Sequence, residues 1–288
     1  MGKPMADLER PTDMARVSAG PIEYRYERRG EATVVVFHGG HVRASLPIGE
    51  DIFEALGYSI LAPSRPGYGR TPLTTGTSPA GFADATYELC QHLAVDDVVS
   101  GVGISGGGPT ALTMAARYPG LIRRLILESA VGFLPWPERR TRLGARIMFN
   151  AISEKAAWRL AHAFVRLAPA LSLRVLLDSL STEPPGRALA ALRQEDRATL
   201  TALFSHMRSG SGFVNDLRAT PDVTKAITQP TLVIATPKDG AVPFAHAESF
   251  VASIRGAQLI RSTADSHFIW FGSDYGYVSE QIRDFLAS

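Results

Sequence analysis

Residues 98–109 read Val-Val-Ser-Gly-Val-Gly-Ile-Ser-Gly-Gly-Gly-Pro, and they guide the interpretation of the rest of the chain. An apolar strand runs into the pattern Gly-x-Ser-x-Gly, and a helix of small residues is predicted from 110 to 118. A strand, a tight turn and a helix in this order are typical of a nucleophile elbow, which presents a serine above the edge of a sheet. We therefore expect Ser105 to have a strained backbone, and a side chain at Gly103 or Gly107 to crowd the turn.

The composition indicates an ordinary globular protein with one large core. The chain has 288 residues, of which 45% are hydrophobic and 20% are charged, and its net charge is +2. So small a net charge gives no reason to expect a nucleic-acid partner. We find no signal peptide and no apolar run approaching the ~20 residues of a membrane span. We therefore expect a cytoplasmic protein that has no membrane-spanning segment. The single cysteine, Cys90, falls in a helical pattern and is interpreted as a core residue.

Strands and helices alternate along most of the sequence. Besides the strand before the elbow, strands are predicted at 22–28, 33–37, 58–62, 125–127, 230–235 and 258–261. Helices are predicted at 52–56, 79–93, 110–118 and 244–254, with an amphipathic last helix that carries Tyr275, Val278, Ile282 and Phe285. Residues 1 to about 13 are interpreted as a loose tail. The alternation predicts an α/β fold with a mostly parallel sheet covered on both faces.

This alternation stops at about residue 134 and resumes at about 215. The intervening sequence contains helix-like stretches at 142–153, 155–167, 171–180 and 187–208, and no convincing strand. We therefore predict a core formed by 14–133 and 215–288, with a helical insertion at 134–214.

Two loops downstream of the elbow carry groups that could activate a serine. A serine hydroxyl is a poor nucleophile at neutral pH, so it needs a base and a group that orients the base. Asp239 follows a predicted buried strand, and His267 follows the last predicted strand. Loops at the carboxyl ends of parallel strands gather at one edge of a sheet, so Ser105, Asp239 and His267 could meet there. Glu128 also ends a core strand and competes with Asp239 for the acidic role, although the Asp-x-x-Val-Pro setting favours Asp239.

The elbow, the order Ser, Asp, His and the alternation of strands and helices together resemble the α/β-hydrolase fold family. The resemblance covers nearly the whole chain after residue 15. It implies a mostly parallel eight-stranded sheet flanked by helices, with the insertion acting as a cap. It further implies that Ser105 is the nucleophile, His267 the general base and then acid, and Asp239 the carboxylate that orients His267. The oxyanion hole would be formed by the backbone N–H groups of Gly40 and Gly106.

Some features narrow the branch of the family. A serine nucleophile argues against the dehalogenase and epoxide-hydrolase branches, which use Asp, and the elbow lacks the Gly-x-Ser-Trp-Gly form common in proline iminopeptidases. Ser64 stands where family members usually have Asp, a departure that concerns loop structure only. The histidines show no metal-ligand spacing with one another, and we expect neither a metal nor a cofactor.

Other interpretations of single residues stay open. Gly101, Gly103 and Gly106 match the spacing of a dinucleotide-binding loop, but no acidic residue about 20 positions further on suits a ribose. His41 lies beside the oxyanion loop and is a candidate substrate-binding residue, although a pocket-wall or loop-stabilising role is favoured. We expect His38 to brace the same loop.

The most favoured function is that of a serine hydrolase acting on a carboxylic ester or related small acyl compound through an acyl-enzyme. Alternatives are C–C bond hydrolysis, perhydrolase or cofactor-free oxygenase activity on the same fold, or a ligand-binding receptor that retains the triad. The sequence leaves the oligomeric state open.

The predicted cap carries nine bulky apolar residues: Met148, Phe149, Trp158, Phe164, Leu176, Leu177, Leu180, Phe204 and Met207. About two-thirds of them should pack onto the core, and the rest should line an apolar pocket over the serine. We expect four arginines near the cap entrance and the carboxylate of Asp265 to be solvated; the arginines are Arg139, Arg140, Arg142 and Arg146.

Overall fold

The computed structural model describes residues 8–137 and 153–288 and contains one eight-stranded sheet. Its strands are β1 (Asp13–Val17), β2 (Gly20–Glu27), β3 (Thr33–Phe37), β4 (Ser59–Pro63), β5 (Val98–Ile104), β6 (Leu125–Glu128), β7 (Thr231–Ala235) and β8 (Gln258–Arg261). They lie in the order β1-β2-β4-β3-β5-β6-β7-β8. The pairs β1–β2 and β2–β4 are antiparallel, and all other neighbours are parallel. The predicted fold class is confirmed.

Helices cover both faces of this sheet. Within the described residues they are α1 (Asp51–Ala55), α2 (Pro79–His92), α3 (Gly108–Arg117), α4 (Glu154–Leu167), α5 (Pro169–Leu180), α6 (Pro185–Ala191), α7 (Gln194–His206), α8 (Gly212–Asp216), α9 (Ala245–Ser253) and α10 (Tyr275–Ala287). Successive strand residues point to opposite faces. In β3, accordingly, Val34 and Val36 pack into one apolar core and Val35 and Phe37 into the other.

The edge strand β1 was not predicted. The sequence indicates a loose tail up to about residue 13, whereas in the structure β1 begins at Asp13 and pairs with β2. Only Ala15 and Val17 of this strand are buried, while the other three side chains are exposed. Two inward-facing residues give too short an alternation to distinguish an edge strand from a tail.

The single helix predicted over 187–208 is wrong. The structure has two helices, α6 and α7, separated at Leu192 and Arg193, both of which have extended backbones. The first turn of α7 contains Glu195 and Asp196, and the Arg193 guanidinium binds the carboxylate of Asp196. Acidic residues are favoured in the first turn of a helix, and this signal for a helix start was missed.

Between β6 and β7 the described residues form helices and no strand of the sheet. This agrees with the predicted helical character of the insertion, while its boundaries at 134 and 214 stay a prediction. The helix predicted at 142–153 falls almost entirely outside the described residues, as do the four arginines near the predicted cap entrance. None of the helices in 8–137 and 153–288 is long and apolar enough to cross a membrane.

Cys90 is fully buried in α2, as predicted. Burial raises the pKa of its thiol to about 12. A thiol that stays protonated at neutral pH is a poor nucleophile, so Cys90 is a core residue.

The turn between β5 and α3 leaves no room for side chains at its glycines. A Cβ on Gly103 would lie 2.8 Å from the Cβ of Ala111, and a Cβ on Gly107 would lie 2.0 Å from the carbonyl oxygen of Phe37. The predicted crowding at both positions is confirmed. At Gly107 the obstacle is the backbone of β3, which cannot move without disturbing the centre of the sheet.

We predict that Gly107→Ala lowers the free energy of unfolding by about 3 kcal/mol or more, because the new methyl group overlaps the β3 backbone. Urea denaturation measures the change. Gly276→Ala is the control: it lies in α10 with nothing within 4 Å of the added Cβ, and it should be neutral or slightly stabilising. A loss below about 1 kcal/mol for Gly107→Ala would show that the turn can relax.

Candidate active site

Ser105 begins the turn between β5 and α3. Its φ angle is +48°, a left-handed conformation that costs a residue other than glycine roughly 1–3 kcal/mol. Its carbonyl oxygen accepts a hydrogen bond from the backbone N–H of Val131, at 2.9 Å. The strain expected at the elbow is therefore present, and the loop after β6 helps to hold it.

The carboxylate of Asp239 and the imidazole of His267 are hydrogen-bonded, with 2.7 Å between Oδ2 and Nδ1. Asp239 follows β7, and its other oxygen accepts the backbone N–H groups of Ala241 and Val242, each at 2.8 Å. The Asp239 side chain is only 1% exposed, so protein donors take the place of water around it. An ionised Asp239 favours the tautomer of His267 with its proton on Nδ1, which leaves Nε2 as the proton acceptor.

The loop after β6 contacts both the elbow and the histidine loop. Val131 binds the carbonyl of Ser105, and the hydroxyl of Ser129 donates to the carbonyl of His267 at 3.0 Å. Within the described part of the chain, no hydrogen bond joins the Ser105 hydroxyl to His267. In enzymes without substrate such contacts are often long and tighten when substrate binds. The structure thus brings the three predicted triad residues to the same edge of the sheet.

The two predicted oxyanion donors are close neighbours. A Cβ on Gly39 would lie 2.8 Å from the Cβ of Ser105, so the loop after β3 passes directly beside the elbow. A Cβ on Gly106 would lie 3.4 Å from the backbone nitrogen of Gly40. Two N–H groups beside a nucleophile can stabilise the negative oxygen of a tetrahedral intermediate. This role for Gly40 and Gly106 stays a prediction.

His38 braces the loop after β3, as expected. Its Nε2 atom lies 2.6 Å from Oε1 of Glu50, whose carboxylate also accepts two hydrogen bonds from the Arg25 guanidinium. Burial alone would raise the pKa of Glu50, but the charge of Arg25 and the hydrogen bond with His38 hold it below its usual value. All three side chains are buried, so this group fixes the loop from beneath.

His41 contacts the insertion. Its Nδ1 atom lies 2.7 Å from the hydroxyl of Ser209, which also accepts the indole N–H of Trp158. The ring centroid is 4.2 Å from that of Phe213. Burial, with a smaller contribution from the charge of Arg65, lowers the pKa of His41 to about 3, so the ring is neutral. These contacts match the loop-stabilising interpretation, and direct substrate binding by His41 stays a prediction.

Glu128 does not contact the histidine. It is fully buried at the end of β6, where its Oε2 accepts the indole N–H of Trp270 at 3.0 Å. Burial, reinforced by the nearby charges of Asp51 and Glu50, raises the pKa of Glu128 to about 8, although the hydrogen bond from Trp270 opposes the shift. Asp239, and not Glu128, is thus the carboxylate that binds His267, and Glu128 is mostly protonated at neutral pH.

The end of α5 holds both loops that carry the acid and the base. The carbonyl oxygen of Leu180 accepts the backbone N–H of His267 at 2.7 Å and that of Gly240 at 3.2 Å. A Cβ on Gly240 would lie 2.6 Å from the backbone nitrogen of Ser181, so only glycine permits this approach. This contact is not predictable from the sequence, because nothing in the local pattern of 180–182 indicates a partner elsewhere in the chain.

Asp265 is ion-paired, and the expectation that it is solvated is wrong. Its carboxylate contacts the Lys238 ammonium group, and the side chains are 22% and 32% exposed. Its carbonyl oxygen also accepts the hydroxyl of Ser181. Asp265 therefore links the histidine loop to the acid loop. Asp265 and Lys238 are far apart in the sequence, so the local pattern does not indicate this ion pair.

A cavity of about 520 Å³ reaches the elbow from one side. It is lined by Gly106, Arg65 and Asp216, whereas Ser105 and His267 do not line it. Most of its wall is apolar, with contributions from Phe82, Val131, Phe133, Leu134, Trp136 and Val223. A group bound there would lie beside a predicted oxyanion donor and in largely apolar surroundings.

The bulky apolar residues of the insertion mostly pack rather than line this cavity. Trp158, Leu177, Phe204 and Met207 are buried in one of the two apolar cores. None of the described members of the predicted set lines the cavity; because Ser105 does not line it either, the predicted apolar pocket over the serine stays a prediction. Met148 and Phe149 lie outside the described residues.

Possible metal ligands do not gather in the described parts of the chain. No group of three or more His, Cys, Asp or Glu side chains there could hold a metal ion. Two histidines outside the candidate site have structural partners: Nδ1 of His246 accepts the N–H of Gly132, and Nε2 of His162 contacts the carbonyl of Met207.

The geometry agrees with comparisons to known proteins. A model of the alpha/beta hydrolase fold matches residues 32–273. The chain belongs to this family. The predicted resemblance is therefore confirmed, and so is the prediction that the chain is an enzyme with this fold.

Individual relatives of this hydrolase-fold chain extend the comparison. An uncharacterised hydrolase of Bacillus subtilis (strain 168) is 32% identical over 98% of this chain and 100% of its own length. A 2-hydroxy-6-oxononadienedioate/2-hydroxy-6-oxononatrienedioate hydrolase of a Pseudomonas species is 26% identical over 78% of this chain and 77% of that protein. An alpha/beta hydrolase fold protein from Nakamurella multipartita has a similar structure, with a TM-score of 0.75 at 20% identity, covering 96% of this chain and 99% of that one.

We predict that Asp239→Asn lowers kcat roughly 10⁴-fold, because an amide favours the wrong tautomer of His267. Glu128→Gln is the control, since it replaces a mostly protonated carboxyl without touching His267, and it should lower kcat far less. Steady-state kinetics on any ester that the wild type hydrolyses measure both. The reverse order of effects would assign the acidic role to Glu128.

Proposed function

We propose that this chain is a serine hydrolase that cleaves a carboxylic ester or a related acyl compound through an acyl-enzyme on Ser105. The observation that carries the proposal is the 2.7 Å hydrogen bond between Asp239 and His267 at the sheet edge where the strained Ser105 stands. A buried carboxylate, an oriented imidazole and an elbow serine are the parts that acyl transfer requires.

The proposed reaction begins with proton transfer from the Ser105 hydroxyl to Nε2 of His267 as Oγ attacks the carbonyl carbon. The carbonyl oxygen becomes an oxyanion, which the N–H groups of Gly40 and Gly106 stabilise. The intermediate then collapses, and the leaving alcohol takes the proton from His267. Water repeats these steps on the acyl-enzyme, which releases the acid and restores Ser105.

Asp239 contributes by holding His267 in position and by stabilising the imidazolium that forms in each step. Its second oxygen is occupied by two backbone N–H groups, so the carboxylate cannot rotate away from the ring. The Leu180 carbonyl holds the backbone of both triad loops. We propose that residues 134–214 form a cap, and that this cap completes the site by holding the two triad loops through the Leu180 carbonyl.

The proposed substrate has a compact apolar or aromatic acyl group. The cavity beside Gly106 supports this choice, because its wall is mainly apolar and the Arg65 guanidinium that reaches it is already paired with Asp216. Neutral groups gain about 0.8 kcal/mol per buried methylene in such surroundings, whereas an anion would have to be desolvated.

Hydrolysis of a C–C bond is the second candidate. The Pseudomonas relative is named for the hydrolysis of a 2-hydroxy-6-oxo dienedioate or trienedioate, and it matches more than three-quarters of this chain. Turnover of such a dioate faster than of nitrophenyl esters would favour this candidate over ester hydrolysis.

We predict that Ser105→Ala abolishes both ester turnover and labelling by a fluorophosphonate, while the free energy of unfolding changes by no more than about 1–2 kcal/mol. Short nitrophenyl esters and mass spectrometry of the labelled protein provide the measurements. Ser100→Ala, in the strand β5 that leads to Ser105, is the control: Ser100 is fully buried away from the proposed chemistry, and its variant should keep wild-type activity.

Retention of more than a tenth of the activity in Ser105→Ala would rule out the acyl-enzyme. Labelling of the wild type without turnover would instead favour a ligand-binding receptor that retains the triad.

We also predict that kcat/KM is higher for neutral esters than for anionic esters of the same size, because the cavity is apolar and its guanidinium is paired. Matched pairs that differ by one carboxylate on the acyl group measure the preference. A tenfold or greater preference for the anionic ester would contradict an apolar pocket.

A further inference from the structure

A buried ion pair between Arg65 and Asp216 of α8 lies beside the loop that carries the predicted oxyanion donor Gly40, and α8 spans the predicted boundary between insertion and core at 214. Arg65, in the loop after β4, is 5% exposed. Its Nη1 and Nη2 atoms donate to the two carboxylate oxygens of Asp216, at 2.6 and 2.8 Å. Asp216 is the last residue of α8, and it also accepts the hydroxyl of Tyr68 at 2.7 Å.

The third donor of the same guanidinium points at the oxyanion loop. Nε of Arg65 donates to the carbonyl oxygen of His38, at 2.7 Å. His38 lies two residues before Gly40, so this hydrogen bond fixes the backbone from which the Gly40 N–H projects. A planar guanidinium makes these contacts with both partners at once, and a lysine could not reproduce that fork.

The ion pair also packs against the second predicted donor, Gly106. The position of a Cβ on Gly106 lies 3.3 Å from Oδ2 of Asp216, 3.4 Å from Nη2 of Arg65 and 3.4 Å from the nitrogen of Gly40. The carboxylate of Asp216 thus lies against Gly106, whose N–H is one of the two donors that would face the negative oxygen of the proposed reaction. Unless a cation neutralised it, this carboxylate would oppose the transition state, because charges interact strongly at such distances in a site with little water.

We propose that Arg65 is a positioning residue for the oxyanion hole: it holds the Gly40 backbone through the His38 carbonyl and neutralises Asp216, so that the hole is complete only when α8 is seated on the core. The inference rests on the hydrolase function proposed above and deepens it. It assigns α8 a role in the rate of the chemical step, beyond any role in substrate selection.

The chain contains an exposed counterpart of this cluster. Arg117 binds both carboxylate oxygens of Asp84, at 2.7 and 2.9 Å, and Asp84 also accepts the hydroxyl of Tyr118 at 2.6 Å. The same three residue types make the same kinds of hydrogen bond, but Arg117 and Asp84 are 46% and 42% exposed on α3 and α2. Variants of this second cluster show what the loss of an Arg–Asp–Tyr group does when the group lies away from the candidate site.

The test compares Arg65→Met, Asp216→Asn and the double variant with the matched set Arg117→Met, Asp84→Asn and their double. We expect Arg65→Met to lower kcat for a nitrophenyl ester at least about 100-fold, with KM changed less than about threefold. The double variant should regain at least about tenfold in kcat over Arg65→Met, because it removes the uncompensated carboxylate. The matched set should stay within about twofold of wild type.

A second measurement separates electrostatics from simple damage. A trifluoromethyl ketone forms an oxyanion on the nucleophilic serine, so its affinity should fall by the same factor as kcat/KM in each Arg65 variant. Tyr68→Phe, which removes only the hydroxyl bound to Asp216, is nearly isosteric and is expected to fold. It should lower kcat roughly 3- to 10-fold, and Asp216→Asn should reverse that loss. Circular dichroism establishes that each variant is folded.

The proposal is overturned if a folded Arg65→Met keeps more than a third of wild-type kcat, or if the double variant is as slow as the single one. If Arg65→Met does not fold, Tyr68→Phe with and without Asp216→Asn decides. The proposal is then overturned if Tyr68→Phe keeps more than a third of wild-type kcat, or if adding Asp216→Asn does not restore kcat. A wild type that neither turns over an ester nor is labelled at Ser105 refutes the hydrolase function, and the role of Arg65 with it. An active wild type with unaffected Arg65 or Tyr68 variants refutes the role of Arg65 alone.

Discussion

The close approach of Gly107 to the β3 backbone is the constraint on which the candidate site depends. With a Cβ position only 2.0 Å from the carbonyl of Phe37, the turn after β5 can lie against β3 only if that residue is glycine. Two residues earlier in the same turn, Ser105 has the left-handed conformation. The approach of Gly107 to β3 places the start of α3 beside the loop after β3, so the hydroxyl and both predicted oxyanion donors share one small region. The strain at Ser105 is thus maintained by packing across two central strands.

Much of this arrangement was predictable because it is encoded locally. The runs 34–37 and 232–235 are apolar at every position, as expected of strands buried on both faces, and the structure has the strands β3 and β7 there. The elbow glycines and the Asp and His loops could be assigned because chain order and sheet topology bring strand ends together. Glu128 was a real competitor on the same grounds. The Asp-x-x-Val-Pro setting favours Asp239, and the position of the His267 ring, which binds Asp239, separates the two carboxylates in the structure.

The features that the sequence did not reveal are those that join distant segments through the backbone or through single side chains. The Leu180 carbonyl could belong to any residue type, so no pattern marks it as the acceptor for His267 and Gly240. Arg65 and Asp216 are 151 positions apart, and each alone resembles an ordinary loop charge. Edge strand β1 was missed because only two of its side chains face inward. Local periodicity carries no information about such partners.

Glu128 has a consequence for the thermodynamics of the whole chain. Its pKa is about 8 in the folded protein, against an ordinary value of 4.5, so between these pH values the folded state holds a proton that the unfolded state has released. Folding near neutrality is therefore coupled to proton uptake at this position. The stabilisation from the protonated carboxyl is complete below about pH 4.5 and is lost as the pH rises towards 8. Because the buffer supplies that proton, the heat of folding measured by calorimetry includes the ionisation heat of the buffer.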